Sequence, residues 1–111
     1  MAYITATQGA AVGNISILIV DDEQSVISAL KRSLADEPYE IVGANGGESG
    51  LAAMGARSFK VVVSDEMMPG MDGAAFLAAV RERYPETVRI MLTGHASIEA
   101  TMRAEIGRAH V

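Results

Sequence analysis

Ile15-Ser-Ile-Leu-Ile-Val-Asp-Asp-Glu23 holds a short, nearly continuous apolar run that stops abruptly on three acids. Runs of this length, rich in β-branched residues, suit a strand buried on both faces of a parallel sheet. After it the period changes. Val26, Ile27, Leu30 and Leu34 recur at helical spacing while Lys31, Arg32 and Asp36 stay polar, which predicts a helix over 24–35 with its break at Pro38.

The same strand-then-helix unit recurs down the chain. A weaker strand over 39–44, whose Glu40 predicts an edge position, precedes a helix over 47–56 with Leu51 and Met54 on one side. Val61-Val-Val-Ser64 reads as a central strand with Asp65 at its carboxyl end. A loop over 66–72 leads into a helix over 73–84 with Phe76, Leu77, Val80 and Tyr84 facing inward, and Pro85 lies just past its end. The fourth strand, Val88 to Leu92, ends at Thr93, and Ser97 can cap a last helix carrying Ile98 and Met102. Four such units in succession predict an α/β fold with a doubly wound parallel sheet, its right-handed crossovers placing helices on both faces.

Composition sets the outer bounds. A chain of 111 residues is one domain by size, and 50% hydrophobic residues argue against wholesale disorder. The net charge is −5, and no stretch concentrates Lys or Arg, so direct nucleic-acid binding is disfavoured for want of a basic face. With no cysteine there is neither a disulfide framework nor a thiolate metal site, which fits a reducing, cytoplasmic setting. No apolar run approaches the roughly 20 residues that cross a bilayer, so no membrane role is expected. Residues 1–14 lack the basic and apolar blocks of a signal peptide and read as a loosely ordered leader.

In open α/β sheets ligands bind outside the carboxyl ends of the strands, and the polar residues gather there. Asp21, Asp22 and Glu23 follow the first strand, Asp65 the third, and Thr93 the fourth. Singly, each has an ordinary account: acids favour the positive end of a helix dipole, and Asp or Thr often closes a turn. Together they form a pattern. If strands one and three are neighbours, three carboxylates converge, and two such charges about 4 Å apart repel by about 1 kcal/mol in water and about 4 kcal/mol at an effective dielectric of 20. Such a crowd calls for a cation or a shared proton. Oxygen ligands without His or Cys favour a hard ion, and a few carboxylates with waters and a phosphate suit magnesium.

The loop Ser64-Asp-Glu-Met-Met-Pro-Gly-Met-Asp-Gly73 completes the pattern. Pro69 biases Met68 towards an extended backbone, while Gly70 and Gly73 permit conformations that side chains oppose. A rigid loop after Asp65 can turn a backbone carbonyl towards an ion. The side chains of Met67, Met68 and Met71 read as packing or exposed loop.

Val20-Asp-Asp-Glu23, then Ser64-Asp65 with Met68-Pro69 and Asp72-Gly73, then Met91-Leu-Thr-Gly94, resembles the receiver domain of two-component response regulators, over 15–104. The resemblance implies a flavodoxin-like receiver fold of strand order 2-1-3-4. It implies that Asp65 accepts a phosphoryl group from a sensor histidine kinase or phosphotransfer protein. Asp21, Asp22, Asp65 and the main-chain carbonyl of Met67 would then hold Mg2+, and Thr93 would hydrogen-bond the phosphoryl oxygen and report phosphorylation. Glu23 would help shape the acidic corner. His95 occupies a position that can influence dephosphorylation, although a solvent-exposed turn is its plainer account. The stretch Arg89 to Ala96 is similar to receivers joined to phosphodiesterase-like or kinase output modules, so the parent protein is expected to carry an output domain.

The sequence departs from that family at its end. Receivers have a fifth strand, a fifth helix, and a lysine at the end of that strand; here all three are missing, and neither Lys31 nor Lys60 stands in the required place. The tail, 105–111, is expected to be non-native, because Ile106-Gly-Arg-Ala-His-Val111 is what ATC GGA AGA GCA CAC GTC encodes, a run resembling a sequencing-adapter oligonucleotide. A receiver without its last strand is expected to be marginally stable or to self-associate through the exposed edge. Two other readings compete. A phosphorylation-independent pseudo-receiver normally loses members of the acidic triad, which this chain retains. An aspartyl-phosphate phosphatase usually has a second Asp two residues after the nucleophile, where this chain has Met67. The expectation is a phospho-accepting signalling domain and not an enzyme in the ordinary sense.

Overall fold

The computed structural model describes residues 15–92. Four strands and three helices alternate: β1 (Ile15–Val20), α1 (Gln24–Ser33), β2 (Tyr39–Ala44), α2 (Gly47–Ala56), β3 (Val61–Asp65), α3 (Gly73–Arg83) and β4 (Val88–Leu92). The sheet order is β2-β1-β3-β4 and every pairing is parallel, as the strand–helix alternation predicts. The leader 1–14, Thr93, His95, the helix expected after Ser97 and the tail 105–111 lie outside the described residues.

Why the two central strands are apolar apart from Ser16, Ser64 and Asp65 follows from the pleat, which sends successive side chains to opposite faces. Ile17, Ile19, Val61 and Val63 pack with Ile27, Leu30 and Leu34 of the α1 side. Their neighbours Leu18, Val20 and Val62 pack on the other face with Met54 from α2 and Phe76 and Val80 from α3. Both faces are dry, so neither strand alternates with polar residues. Burying Ile27, Leu30 and Leu34 is worth roughly 1.5–3 kcal/mol each, an upper figure because the unfolded chain already hides part of that surface. Of the remaining inward-facing predictions, Val26, Leu51, Leu77 and Tyr84 are partly buried against these two clusters.

β2 lies at the sheet edge among the described residues, and its Glu40 is exposed there. Arg57, just past α2, donates to both Glu40 carboxylate oxygens at 3.2 and 2.7 Å and to Ser16 Oγ at 2.9 Å. Its guanidinium stands 5.2 Å from the centre of the Phe59 ring. This exposed knot ties α2 to β1 and β2 at the end of the sheet away from the acids.

Two helices end earlier than their periodicity suggests. α1 stops at Ser33 instead of Ala35, although Leu34 remains buried and its N–H still donates to Leu30 O at 3.1 Å. The Ala35 N–H donates to Arg32 O, a tightened final turn that leads out towards Pro38. α3 stops at Arg83 because Pro85 disfavours helical geometry at Tyr84, which sits at φ −135° and ψ 67°. The inward apolar pattern outlasts the helix in both cases.

Candidate functional site

Val20 and Ser64 are partners in the parallel register of β1 and β3, so the residues after them emerge side by side. Asp21 follows Val20 and Asp65 follows Ser64. Each of Asp21, Asp22 and Asp65 offers a carboxylate oxygen, and those oxygens all lie within 4.8 Å of one another. Asp21 is buried at 5% exposure, Asp65 is half-buried and Asp22 is exposed. Asp21 is fixed twice: its N–H donates to Ala44 O at 3.0 Å, and its Oδ1 accepts the Glu23 N–H at 2.8 Å. Glu23 thus shapes this corner through its backbone, at the N-terminus of α1.

Burial pushes the Asp21 carboxyl above its ordinary value of 3.8. The Glu23 N–H opposes that rise by favouring the anion, and the negative charges of Asp65, Asp22 and Glu23 reinforce it. Among the described residues the ion pair formed is Arg57 with Glu40, at the far end of the sheet, and no Lys or Arg is paired to the three aspartates.

The loop after Asp65 is anchored by side chains that look dispensable in sequence. Met68 is buried at 8% exposure, and with the partly buried Met71 it packs on the α2–α3 face, whereas Met67 stands out at 74% exposure. Gly70 adopts φ +77°, a conformation that a side chain opposes. Gly73 has a different reason to be glycine: a Cβ there would overlap the main-chain oxygen of Asp65. Asp72 caps α3, its carboxylate accepting the Ala75 N–H at 2.8 Å.

Three hydrogen bonds that the sequence does not reveal complete the surround of Asp65. Buried Ser64 donates its hydroxyl to the Asp65 carbonyl at 3.0 Å. The Glu66 N–H donates to Leu92 O at 3.2 Å, and the Gly73 N–H to Glu66 O at 3.0 Å. The available signal is Ser64 itself, a hydroxyl directly after the three valines of the strand.

The donor set has the chemistry of a hard-cation site. Neither histidine falls within 15–92, and there is no cysteine, so only oxygen is on offer there. Ligand oxygens about 2.0–2.1 Å from a magnesium ion are themselves about 2.9–4.2 Å apart, and these carboxylates offer oxygens within 4.8 Å of one another. The residues fit Mg2+.

Comparison with known proteins points to one family. The family model described as "Response regulator receiver domain" matches residues 17–110. The hydrogenase transcriptional regulatory protein HoxA of Cupriavidus necator is 37% identical over 84 residues, which is 76% of this chain and 17% of that protein. The DNA-binding transcriptional regulator NtrC of Salmonella typhimurium is 34% identical over 88 residues, 79% of this chain and 19% of its own length. The chain therefore spans less than a fifth of these curated relatives. Among solved structures, the signal receiver domain of an HD domain-containing protein from Pseudomonas fluorescens Pf-5 superimposes with a TM-score of 0.71 at 31% identity, covering 82% of this chain and 73% of that one. The chemotaxis protein CheY4 of Vibrio cholerae gives 0.69 at 34% identity, covering 86% and 79%.

Proposed function

This chain belongs to the response regulator receiver domain family of two-component signalling, and on that premise we propose that Asp65 accepts a phosphoryl group from a sensor histidine kinase or phosphotransfer protein in an Mg2+-dependent reaction. The observation that carries this reading is the meeting of the Asp21, Asp22 and Asp65 carboxylates within 4.8 Å at the carboxyl ends of two adjacent strands.

Phosphoryl transfer asks a protein chiefly for in-line positioning and for neutral surroundings around the equatorial oxygens. Asp65 supplies the nucleophile. One of its carboxylate oxygens bonds to phosphorus as the nitrogen–phosphorus bond of a phosphohistidine breaks, and the bonding pair returns to the donor imidazole. The product is an acyl phosphate on Asp65. Asp21, Asp22, Asp65 and the main-chain carbonyl of Met67 would hold the Mg2+, which when bound neutralises charge on the transferring group. Asp21 is kept in place by its bonds to Ala44 and Glu23, and Asp65 by the β3 ladder. Thr93, next in sequence after Leu92, is the hydroxyl proposed to take up the phosphoryl oxygen and pass the change on to the surface.

The parent protein carries an output module in this reading, since HoxA and NtrC are transcriptional regulators many times longer than the matched segment. No helix among the described residues is long and apolar enough to cross a membrane; action in the cytoplasm is part of this proposal. The test is incubation with acetyl phosphate and Mg2+, followed by intact-mass measurement. The native chain should gain one phosphoryl group and Asp65→Asn none; equal labelling of the two would refute the assignment of Asp65.

A further inference from the structure

We infer that Ser64 is a positioning residue for the phospho-acceptor: with Gly73 and Leu92 it locks the peptide that leaves Asp65, and so sets the aim of the Asp65 loop. The inference rests on the reading of Asp65 given above and adds a residue to that site.

Ser64 is fully buried in a strand whose other buried members are Val61, Val62 and Val63. A fourth valine would suit the pleat and the dry surroundings better than a hydroxyl. A buried hydroxyl has to find a partner, and Ser64 finds the carbonyl of its neighbour, Asp65, at 3.0 Å. That same peptide unit is held at its other end, because the Glu66 N–H donates to Leu92 O at 3.2 Å. Both polar groups of the Asp65–Glu66 peptide are therefore engaged, one by a side chain and one by β4. Gly73 closes the arrangement, lying against the Asp65 oxygen with room for no Cβ and donating its N–H to Glu66 O at 3.0 Å.

A peptide plane held at both ends cannot rotate, so the chain beyond it leaves in one direction. That direction carries the loop through Met67. Leu92 adds a second consequence: the residue pinning Glu66 directly precedes Thr93, so the heading of the Asp65 loop and the end of β4 are joined by one hydrogen bond. Ser64 touches neither a phosphoryl group nor an ion in this account. It acts through the Asp65 peptide.

The experiment compares the full chain with Ser64→Ala and Ser64→Cys, the latter of similar size with a weaker donor. Mg2+ affinity is read by calorimetry, amide exchange at Glu66 and Gly73 by NMR, phosphorylation rate with acetyl phosphate at saturating Mg2+, and the melting midpoint by circular dichroism. Ser64→Ala should weaken Mg2+ binding about three- to tenfold, slow phosphorylation by a similar factor and speed exchange at Glu66, as loss of one buried hydrogen bond implies. Ser64→Cys should fall between the two. Unchanged affinity and unchanged Glu66 exchange in Ser64→Ala would overturn the inference, and so would losses that follow the melting midpoint alone with no recovery in Ser64→Cys. If the native chain is phosphorylated on Asp65 and Ser64→Ala matches it in every readout, the positioning role falls and the receiver reading stands. If the native chain takes no phosphoryl group yet Ser64→Ala binds Mg2+ more weakly, the phospho-acceptor reading of Asp65 falls, and with it the role of Ser64 towards a phospho-acceptor, while its hold on the Asp65 loop stands. A native chain that binds no Mg2+ overturns both.

Discussion

The α-carbon of Gly73 is seated against the main-chain oxygen of Asp65, closely enough that any side chain at that position would collide with it. The obstacle is backbone and cannot swing aside as a flexible side chain would. Gly73→Ala should therefore destabilise the domain by about 1–3 kcal/mol, the usual range for overpacking, and weaken Mg2+ binding with it. Urea denaturation beside a Mg2+ titration checks this. Native-like values in both would show that the close approach relaxes without consequence.

Asp21 links stability to pH with a sign opposite to that of a paired acid. Burial favours its neutral form in the folded chain, so its contribution is fully present below the ordinary value of 3.8 and is lost as pH rises through the raised folded value. Without metal, Asp21→Asn should thus be more stable than the native chain at neutral pH, by about 1 kcal/mol, the scale of repulsion between neighbouring carboxylates in water. The gain should vanish in acid. Melts in chelator at acidic and neutral pH measure it, and a variant less stable at both would contradict the account.

Metal should reverse that balance. Any ion that binds only the folded chain adds about 2.7 kcal/mol when present at 100 times its dissociation constant. Asp22 is exposed, so Asp22→Ala should leave metal-free stability within about 0.5 kcal/mol of native while removing most of the Mg2+-induced rise in melting temperature. A rise of native size in Asp22→Ala would exclude that carboxylate as a ligand.

The Glu40–Arg57 pair behaves in the ordinary sense. The Arg57 hydrogen bonds and then its charge hold the Glu40 carboxyl below its usual 4.5, so the pair supports folding above that value and the support is lost as pH falls through the lowered one. Both groups are exposed, and the effect should be small and weaken in high salt. Arg57→Ala should lower the melting temperature slightly at neutral pH, and the difference should shrink in acid. A pH-independent difference would assign Arg57 to packing on Phe59 instead.

Phe76 is fully buried where α3 meets the sheet. Phe76→Ala should cost about 3–5 kcal/mol, a large part of the roughly 5–15 kcal/mol that holds a typical domain together. A broad, non-cooperative loss of ellipticity on heating would be the signature, and a melt within a few degrees of native would mean that the surrounding side chains close the void.

The strand–helix order and the sheet pairing were legible in the sequence because two-sided burial demands uninterrupted apolar runs such as those ending at Val20 and Val63. The meeting of Asp21, Asp22 and Asp65 was legible too, since it follows from adjacency of the first and third strands. Helix ends were less so: Leu34 and Tyr84 keep the inward apolar period after the backbone has left the helix, so period alone overshoots. The anchoring of the Asp65 loop was hidden for a different reason. Met67, Met68 and Met71 are chemically identical, and only the folded loop sorts the exposed one from the two that pack. Backbone bonds such as Glu66 N–H to Leu92 O leave no mark on residue identity at all.

The pairing of Val20 with Ser64 makes the sheet a ruler for the acids. Sliding β3 by one residue would shift Asp65 along its strand by about 3.3 Å and turn its side chain to the opposite face. Changes of length over 35–38, in the connection between α1 and β2, leave that ruler untouched, whereas a single deletion inside β1 or β3 breaks it. Insertions and deletions tolerated by this domain should accordingly fall in its connections, with the two central strands counted residue for residue.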